Sequence, residues 1–484
     1  MNRDSDFDRI FYPRTVAVVG ASGEPGRPGY QFMRTLLEFG YRGKLYPVNP
    51  EAPEEILGFR TYPNVRDVPD VIDFAFVTVP AAAVPGVIGD CVAKGVAGVE
   101  VFTSGFREVG EEGRKLEEEM VKLAKGKLRI IGPNCFGVYC PRGGLTLLPG
   151  ARLPSESGDV AFISQSGGLA LYFAWAASGC GLRFSKVISY GNACDLNESD
   201  FVEYFSGDEE TKIIAAYLEG VKDGSRFFRL VRGLLGKKPV ILWKGGLTQT
   251  GGRAVSSHTG SLAGDKAVWR AFSYQTGAVL VDDFEELVDA VLFFRQCRRN
   301  VDRRVAVIGG GGAVGVAAGD ICERVGLVVP PAPVELQQQL RALLPPVGTS
   351  TRNPFDIGAP VLPAPLFRKV LELLLAWEGI DAVIIDRVYL YGLGGLNGVP
   401  ESGCAERLEV VLDLQRRTDK QFVVVTEELT TAADKIEAEV ERRWAQQRLF
   451  DGGVAFAPSL TRAATALARV CWYQDKVRSL LAEV

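Results

Sequence analysis

The chain is 484 residues long, 47% hydrophobic and 24% charged, with a formal net charge of −4 and one histidine. That length exceeds one ordinary core and predicts two to four folded domains rather than a disordered chain. A mildly acidic balance without a long basic run argues against a nucleic-acid footprint or attraction to anionic membrane. No apolar run reaches the roughly 20 residues that a membrane span needs. The nine cysteines are scattered without a CxxC pair. With a single histidine no metal site is expected, and reduced thiols in a cytoplasmic protein are the expectation, since MNRDSDFDRIFYPRTVAVVG lacks a signal-peptide layout.

Short apolar runs ending in Gly, Ser, Asn or Pro alternate with helix-like stretches along the chain, the pattern of parallel α/β sheets. Five of them, TVAVVGAS, GKLYPVNP, DFAFVTVP, GVEVFTSG and LRIIGPNC, predict a Rossmann-like first domain over 1–145. PRGGLTLLPGARLPSESG then reads as a linker. Beyond it one architecture is used twice. GDVAFISQSGGLA parallels RRVAVIGGGGAVG, KIIAAYLEG parallels DAVIIDRVYL, KPVILWKGG parallels KQFVVVTEE, and GAVLVDDFEELVDAVLFF parallels GGVAFAPSLTRAATALARV. Two flavodoxin-like, doubly wound domains are predicted, over 150–298 and 300–484. The second copy lacks both the glycine-rich loop and the histidine, so chemistry is expected in the first.

The first strand opens through Gly20, Ala21 and Ser22 into a turn containing Gly26, Arg27, Pro28 and Gly29. Such a turn lets backbone N–H groups and a helix N-terminus approach a pyrophosphate. An NAD site would want an acid at the end of the second strand. KLYPVNP offers Lys44 and Asn49 instead, which suits a nucleotide with an extra phosphate, CoA or NADP, or leaves Lys44 a solvated surface charge. The loops around Ser104 and Asn134 follow further strands of the same domain. They either line that site or serve as ordinary turns.

Ser164, Gln165, Ser166, Gly167 and Gly168 lie between the strand VAFI and an apolar helix. Small residues at a helix start either gather amides around a phosphate or supply a serine N-cap and close packing. The lone imidazole, His258, sits in RAVSSHTGS, a Gly/Ser/Thr-rich loop after the strand PVILW. A lone histidine is often incidental, yet such a loop can present a nucleophile to a phosphoryl group. Glu219 ends the strand KIIAAYLEG, so it could meet His258 at one sheet edge and fix its tautomer.

Together GASGEPGRPG, KLYPVNP, SGFREVG, IGPNCFGV, ISQSGGLA, YGNACDLNESDFVEYF, YLEGVKD, SSHTGSLAG, GGGGAVG and NPFD resemble the alpha subunits of ADP-forming acyl-CoA synthetases, relatives of succinyl-CoA synthetase. The resemblance implies CoA contacts at Gly20, Ser22, Lys44, Asn49, Pro80 and Ser104, with Ala21, Gly26, Arg27 and Asn134 in the same groove. It implies a phosphohistidine at His258, a supporting carboxylate at Glu219 and a phosphate site at Ser164–Gly168. Arg27 stands where a lysine is common, and GNACD replaces GNKAD. The implied reaction is acyl-CoA, ADP and phosphate giving a carboxylic acid, CoA and ATP, through acyl phosphate and phospho-His258. The chain contains no ATP-grasp pattern, so ADP or ATP with Mg²⁺ is expected on a partner, an ATP-grasp beta subunit in an α2β2 heterotetramer. An NADP-dependent oxidoreductase and a CoA-sensing protein with decayed chemistry are the alternatives.

Overall fold

A computed structural model describes residues 3–51, 53–147, 152–253, 265–298, 301–358, 362–386, 402–428 and 436–481. It divides into two compact units, Met1–Phe284 and Glu285–Val484. Among the described residues, unit 1 holds two large sheets and a two-stranded ribbon, and unit 2 holds one large sheet.

The first sheet contains β1 (Thr15–Val19), β2 (Lys44–Val48), β5 (Phe74–Val77), β6 (Gly98–Val101) and β7 (Arg129–Ile131), all parallel, in the order β2-β1-β5-β6-β7. A small ribbon, β3 (Glu55–Ile56) with β4 (Phe59–Arg60), follows β2. The strands are apolar on both faces because helices cover both; β5 and β6 are buried at every position. Even Glu100 of β6 is buried; its carboxylate accepts the Val138 N–H at 3.2 Å, and burial pushes it up to about 8.

The second sheet consists of β8 (Gly137–Tyr139), β9 (Val160–Ser164), β10 (Phe184–Ser189), β11 (Ile213–Leu218), β12 (Val240–Lys244) and β13 (Val279–Val281), in the order β13-β12-β11-β9-β10-β8. Only β8 is antiparallel. It falls inside the stretch that sequence assigns to the first domain, yet completes the second sheet. Between the two sheets of unit 1 the backbone is in contact. Asn192 N–H donates to the Pro133 carbonyl at 3.0 Å, and Cys194 N–H to that of Gly132 at 3.1 Å. A Cβ on Gly191 would lie 2.2 Å from the Pro133 oxygen, so only glycine permits this approach.

In unit 2 the sheet contains β14 (Val305–Gly309), β15 (Phe355–Asp356), β16 (Ala382–Ile385), β17 (Gln421–Val425) and β18 (Ala455–Ala457), parallel, ordered β15-β14-β16-β17-β18. Counting only parallel strands, all three sheets share one winding: second, first, third, fourth, fifth. This is the flavodoxin-like order, with its switch point beside the first strand. The repeat read from sequence in the second and third segments therefore extends to the first.

Candidate active site

At the carboxyl edge of the first sheet, β1 is followed by Gly20, whose φ is +90°. A Cβ there would lie 2.7 Å from Thr78 Oγ1. The helix Pro28–Phe39 begins so close to this turn that a Cβ on Gly29 would sit 2.0 Å from the Gly20 carbonyl oxygen. Its N-cap, Arg27, makes no side-chain cap bond; the Arg27 guanidinium pairs with Glu24 at 3.1 Å. A helix start uncapped by its own side chain, with partial positive charge and glycine on its inner side, forms a cradle suited to a phosphate. Gly26 has no neighbour that a Cβ would meet within 4 Å.

The other predicted contacts gather at the same edge. Asn49, just past β2, donates from Nδ2 to the Ala21 carbonyl at 2.8 Å and accepts the Glu51 N–H at 3.0 Å. Ser22 Oγ accepts the Glu24 N–H at 3.0 Å, which shapes the turn. Pro80 is exposed after β5 and Ser104 exposed after β6; their loops are joined by Thr103 Oγ1, which donates to Val79 O at 2.6 Å. Asn134, after β7, has a φ of +57° and donates its N–H to Thr103 O at 3.0 Å.

Lys44 does not join them. The register Thr15↔Lys44 and Val19↔Val48 makes it the first residue of β2, at the amino edge of the sheet. Four strand steps at about 3.3 Å each separate it from Val48. There its ammonium contacts Asp70 at 2.5 Å, and that contact, with the Tyr46 hydroxyl, holds the Asp70 carboxyl below the usual range. The run KLYPV reads as a strand end by composition, but β2 starts at its lysine.

A second edge is built on β9, β11 and β12. Ser164 Oγ donates to Ser166 O at 2.7 Å and accepts the Ser166 N–H at 3.1 Å, fixing the turn. Ser166 is the N-cap of the helix Gly167–Gly179, its Oγ accepting the Leu169 N–H at 3.4 Å. Gly167 lies against Phe136, where a Cβ would be 2.7 Å from the ring, whereas Gly168 faces open space. Gln165 has a different task. Its buried carbonyl oxygen accepts the N–H groups of Glu219 and, at 2.9 Å, Gly220.

Glu219 follows β11 and is 5% exposed; its Oε1 accepts the Tyr217 hydroxyl at 3.3 Å. Lys244, the last residue of β12 and in register with Leu218, donates from Nζ to the Glu219 carbonyl at 2.9 Å and to the Gly245 carbonyl. The Glu219 peptide is thus held by a side chain from each neighbouring strand end. Burial pulls the Lys244 ammonium below the ordinary lysine range against the opposing pull of Glu219. The Trp269 ring lies 5.7 Å from Lys244 Nζ. Burial, with Glu219 nearby, pushes the Tyr217 phenol up. A Cβ on Gly245 would lie 2.5 Å from the Tyr217 oxygen, so the glycine after Lys244 gives that hydroxyl its place.

Glu198 supports the same corner: it is fully buried and its Oε1 accepts the Lys222 N–H at 2.7 Å. Burial raises its carboxyl, and the buried Tyr190 phenol is raised by burial with contributions from Glu198 and Glu219. Lys244, Tyr217 and Glu198 are missing from the candidates drawn from sequence. All three stand in motifs already singled out, WKGG, YLEG and YGNACDLNESDFVEYF, beside residues with a clearer chemical signal. His258 lies outside the described residues, as does all of 254–264; the chain is described again from Asp265, which caps the helix Lys266–Thr276.

The two edges meet through the loop after β7. Phe136 stacks on Phe102 at 6.3 Å, contacts Gly167, and donates its N–H to Ser189 Oγ at 2.9 Å. Asn192 donates to Glu108 at 2.6 Å, whose other oxygen accepts the N–H groups of Gly105 and Phe106. Burial opposes the Glu108 charge, but these donors outweigh it and hold the carboxyl below its usual range. Among the described residues no group of three or more His, Cys, Asp or Glu side chains could hold a metal ion. A phosphate cradle and a clamped carboxylate at neighbouring sheet edges can bind a phosphorylated ligand and orient a nucleophile through a hydrogen bond to the carboxylate.

Residues 14–141 match a family described as CoA binding domain, and residues 157–294 one described as succinyl-CoA ligase like flavodoxin domain. The chain is 38% identical over 380 residues to acetate–CoA ligase [ADP-forming] II subunit alpha of Pyrococcus furiosus, covering 78% of this chain and 81% of that one. It is also 38% identical over 378 residues to acetate–CoA ligase [ADP-forming] I of Archaeoglobus fulgidus, covering 78% of this chain but 54% of that longer protein. A solved structure of the dinucleotide forming acetyl-coenzyme A synthetase 1 of Candidatus Korarchaeum cryptofilum, in complex with phosphate and ADP, superposes with a TM-score of 0.83. It is 31% identical, with 99% of both chains covered.

Proposed function

Since the chain belongs to the family of ADP-forming acetate–CoA ligases and their alpha subunits, we propose that it is the CoA-binding, phosphoryl-carrying half of an acyl-CoA synthetase. In this reading acyl-CoA and phosphate exchange at the thioester to give acyl phosphate and free CoA. The His258 imidazole then attacks the phosphorus, the acyl–phosphate P–O bond breaks, and the carboxylate leaves. ADP takes the phosphoryl group from His258, giving ATP and regenerating the imidazole. Acetate and other small carboxylic acids are the substrate class.

The observation that carries this reading is the doubly clamped Glu219 beside the Ser166–Gly168 helix start. Backbone donors at that start would bind the phosphoryl group and stabilise its charge in transfer. Glu219 would accept a hydrogen bond from one imidazole nitrogen of His258, leaving the other to attack. Gly20, Ala21, Ser22, Gly26, Arg27, Asn49, Pro80, Ser104 and Asn134 form the proposed CoA groove; Gly29 lets the helix start pack against the Gly20 turn, where a Cβ would lie 2.0 Å from the Gly20 carbonyl oxygen, and so shapes the cradle for a pyrophosphate. Lys44 is left out of this set because of its place in the register. The nucleotide and Mg²⁺ are assigned to an ATP-grasp beta subunit, in an α2β2 assembly in the cytoplasm.

Radiolabelled phosphate, acetyl-CoA and the reconstituted complex should place acid-labile, base-stable label on this chain. His258→Ala should abolish it, and Glu219→Gln should slow it by about 100-fold, an effect on the scale of a lost charge-stabilising donor or acceptor. Undiminished label in the His258 variant refutes the assignment.

A further inference from the structure

At the opposite edge of the first sheet, where β1 and β2 begin, unit 1 contains a cavity of about 780 Å³. Its size is that of a small-molecule site. Arg14, Arg42, Lys44 and Arg142 line it, and no carboxylate does. Lys44 is neutralised by Asp70. Among the described residues, the guanidiniums of Arg14, Arg42 and Arg142 have no acid within ion-pair distance; Arg142 lies over the Tyr12 ring at 5.9 Å.

In a chain of net charge −4, three uncompensated guanidiniums around one cavity form a local field that favours an anion. The walls are shaped closely. A Cβ on Gly43 would lie 2.2 Å from the Tyr41 hydroxyl, one on Gly143 would lie 1.9 Å from the Phe11 carbonyl, and Gly144 has a φ of +70°. The Tyr41 hydroxyl itself donates to Pro13 O at 3.1 Å, so it braces the wall beside Arg14. Backbone held this tightly keeps the arginine stems at fixed origins. Guanidinium forks take phosphate oxygens in pairs, which suits more than one phosphate group in line.

We propose that this cavity is a second anion site, separate from the CoA groove, and that it binds a diphosphate group. Inorganic pyrophosphate and a nucleoside diphosphate share that chemistry. Both are titrated calorimetrically into the full chain with CoA present in excess, so that the carboxyl-edge cradle is filled. Pyrophosphate is expected to bind, more weakly as salt rises. Arg42→Ala/Arg142→Ala should weaken it by about tenfold or more, and Arg42→Lys/Arg142→Lys should fall between, keeping charge but losing the fork. ADP binding that shows the same loss assigns the diphosphate of a nucleotide to the cavity; ADP binding that does not respond, beside pyrophosphate that does, assigns the free anion. Arg34→Ala, a surface arginine paired elsewhere, should change nothing. The proposal is overturned if wild type takes up no pyrophosphate, if the double alanine variant binds it equally well, or if Arg34→Ala weakens it as much.

Discussion

Replacing Gln165 by leucine removes one oxygen and leaves two buried N–H groups, those of Glu219 and Gly220, without their acceptor. Gln165 is 6% exposed, so water replaces that oxygen poorly. A buried donor deprived of its partner costs about 1–3 kcal/mol, and two neighbours share part of the relaxation, so about 2–4 kcal/mol is expected. Because the loss is local, it should appear as faster amide hydrogen exchange in peptides covering 213–222, by about 30-fold at 2 kcal/mol. Exchange in unit 2 should not change. Phosphoryl labelling of the chain should fall in step, since Glu219 loses one of its two clamps. Gln165→Glu separates geometry from charge. It retains an acceptor and should restore protection, yet labelling should stay slow because a second carboxylate then faces an incoming phosphoryl group. The reasoning fails if Gln165→Leu exchanges at the wild-type rate over 213–222, or if it labels at full speed despite losing protection there.

Gly29→Ala places a methyl 2.0 Å from the Gly20 carbonyl oxygen and must move either the turn or the helix; CoA affinity measured by calorimetry should fall about tenfold or more, the scale of 1–3 kcal/mol of overpacking. Gly26→Ala, with nothing to meet, should stay within about twofold by the same measure. Lys44→Ala should leave CoA affinity within about twofold, since four strand steps separate it from the cradle; a larger loss would return Lys44 to the groove. Burial raises the Glu100 carboxyl from 4.5 to about 8. A carboxyl whose folded pKa is raised binds more protons folded than unfolded between those values, so its contribution to stability falls as pH rises from about 4.5 to 8. Thermal melts of Glu100→Gln against wild type should therefore favour the variant increasingly across that window, and a constant difference would contradict it.

The carboxyl edges were legible in sequence because strands buried on both faces leave only their ends to carry Gly, Ser, Asn and Pro. Gly20, Asn49, Ser104, Asn134 and Ser166 all follow such runs and all arrive where parallel topology sends them. Lys44 lies at the other edge for a reason of length: composition marks a strand but does not fix its first residue, and the four strand steps from Lys44 to Val48 span the sheet from one edge to the other. β8 is three residues long, too short for any period to show, and its partner β10 is 45 or more residues distant. Lys244 and Gln165 act on peptide groups rather than on other side chains. Their pairing with Glu219 depends on which strands lie adjacent, which local pattern does not contain.

The place of β8 has a practical corollary. A fragment ending near residue 145 would take β8 with it, leaving the backbone of β10 as a bare sheet margin in the remainder. It would also strip the Gly191 corner from the loop of Pro133 that it grips. Exposed strand margins recruit other chains, so such a dissection is expected to yield aggregates from the remainder. The two sheets of unit 1 are better handled as a single inheritable piece than as exchangeable modules.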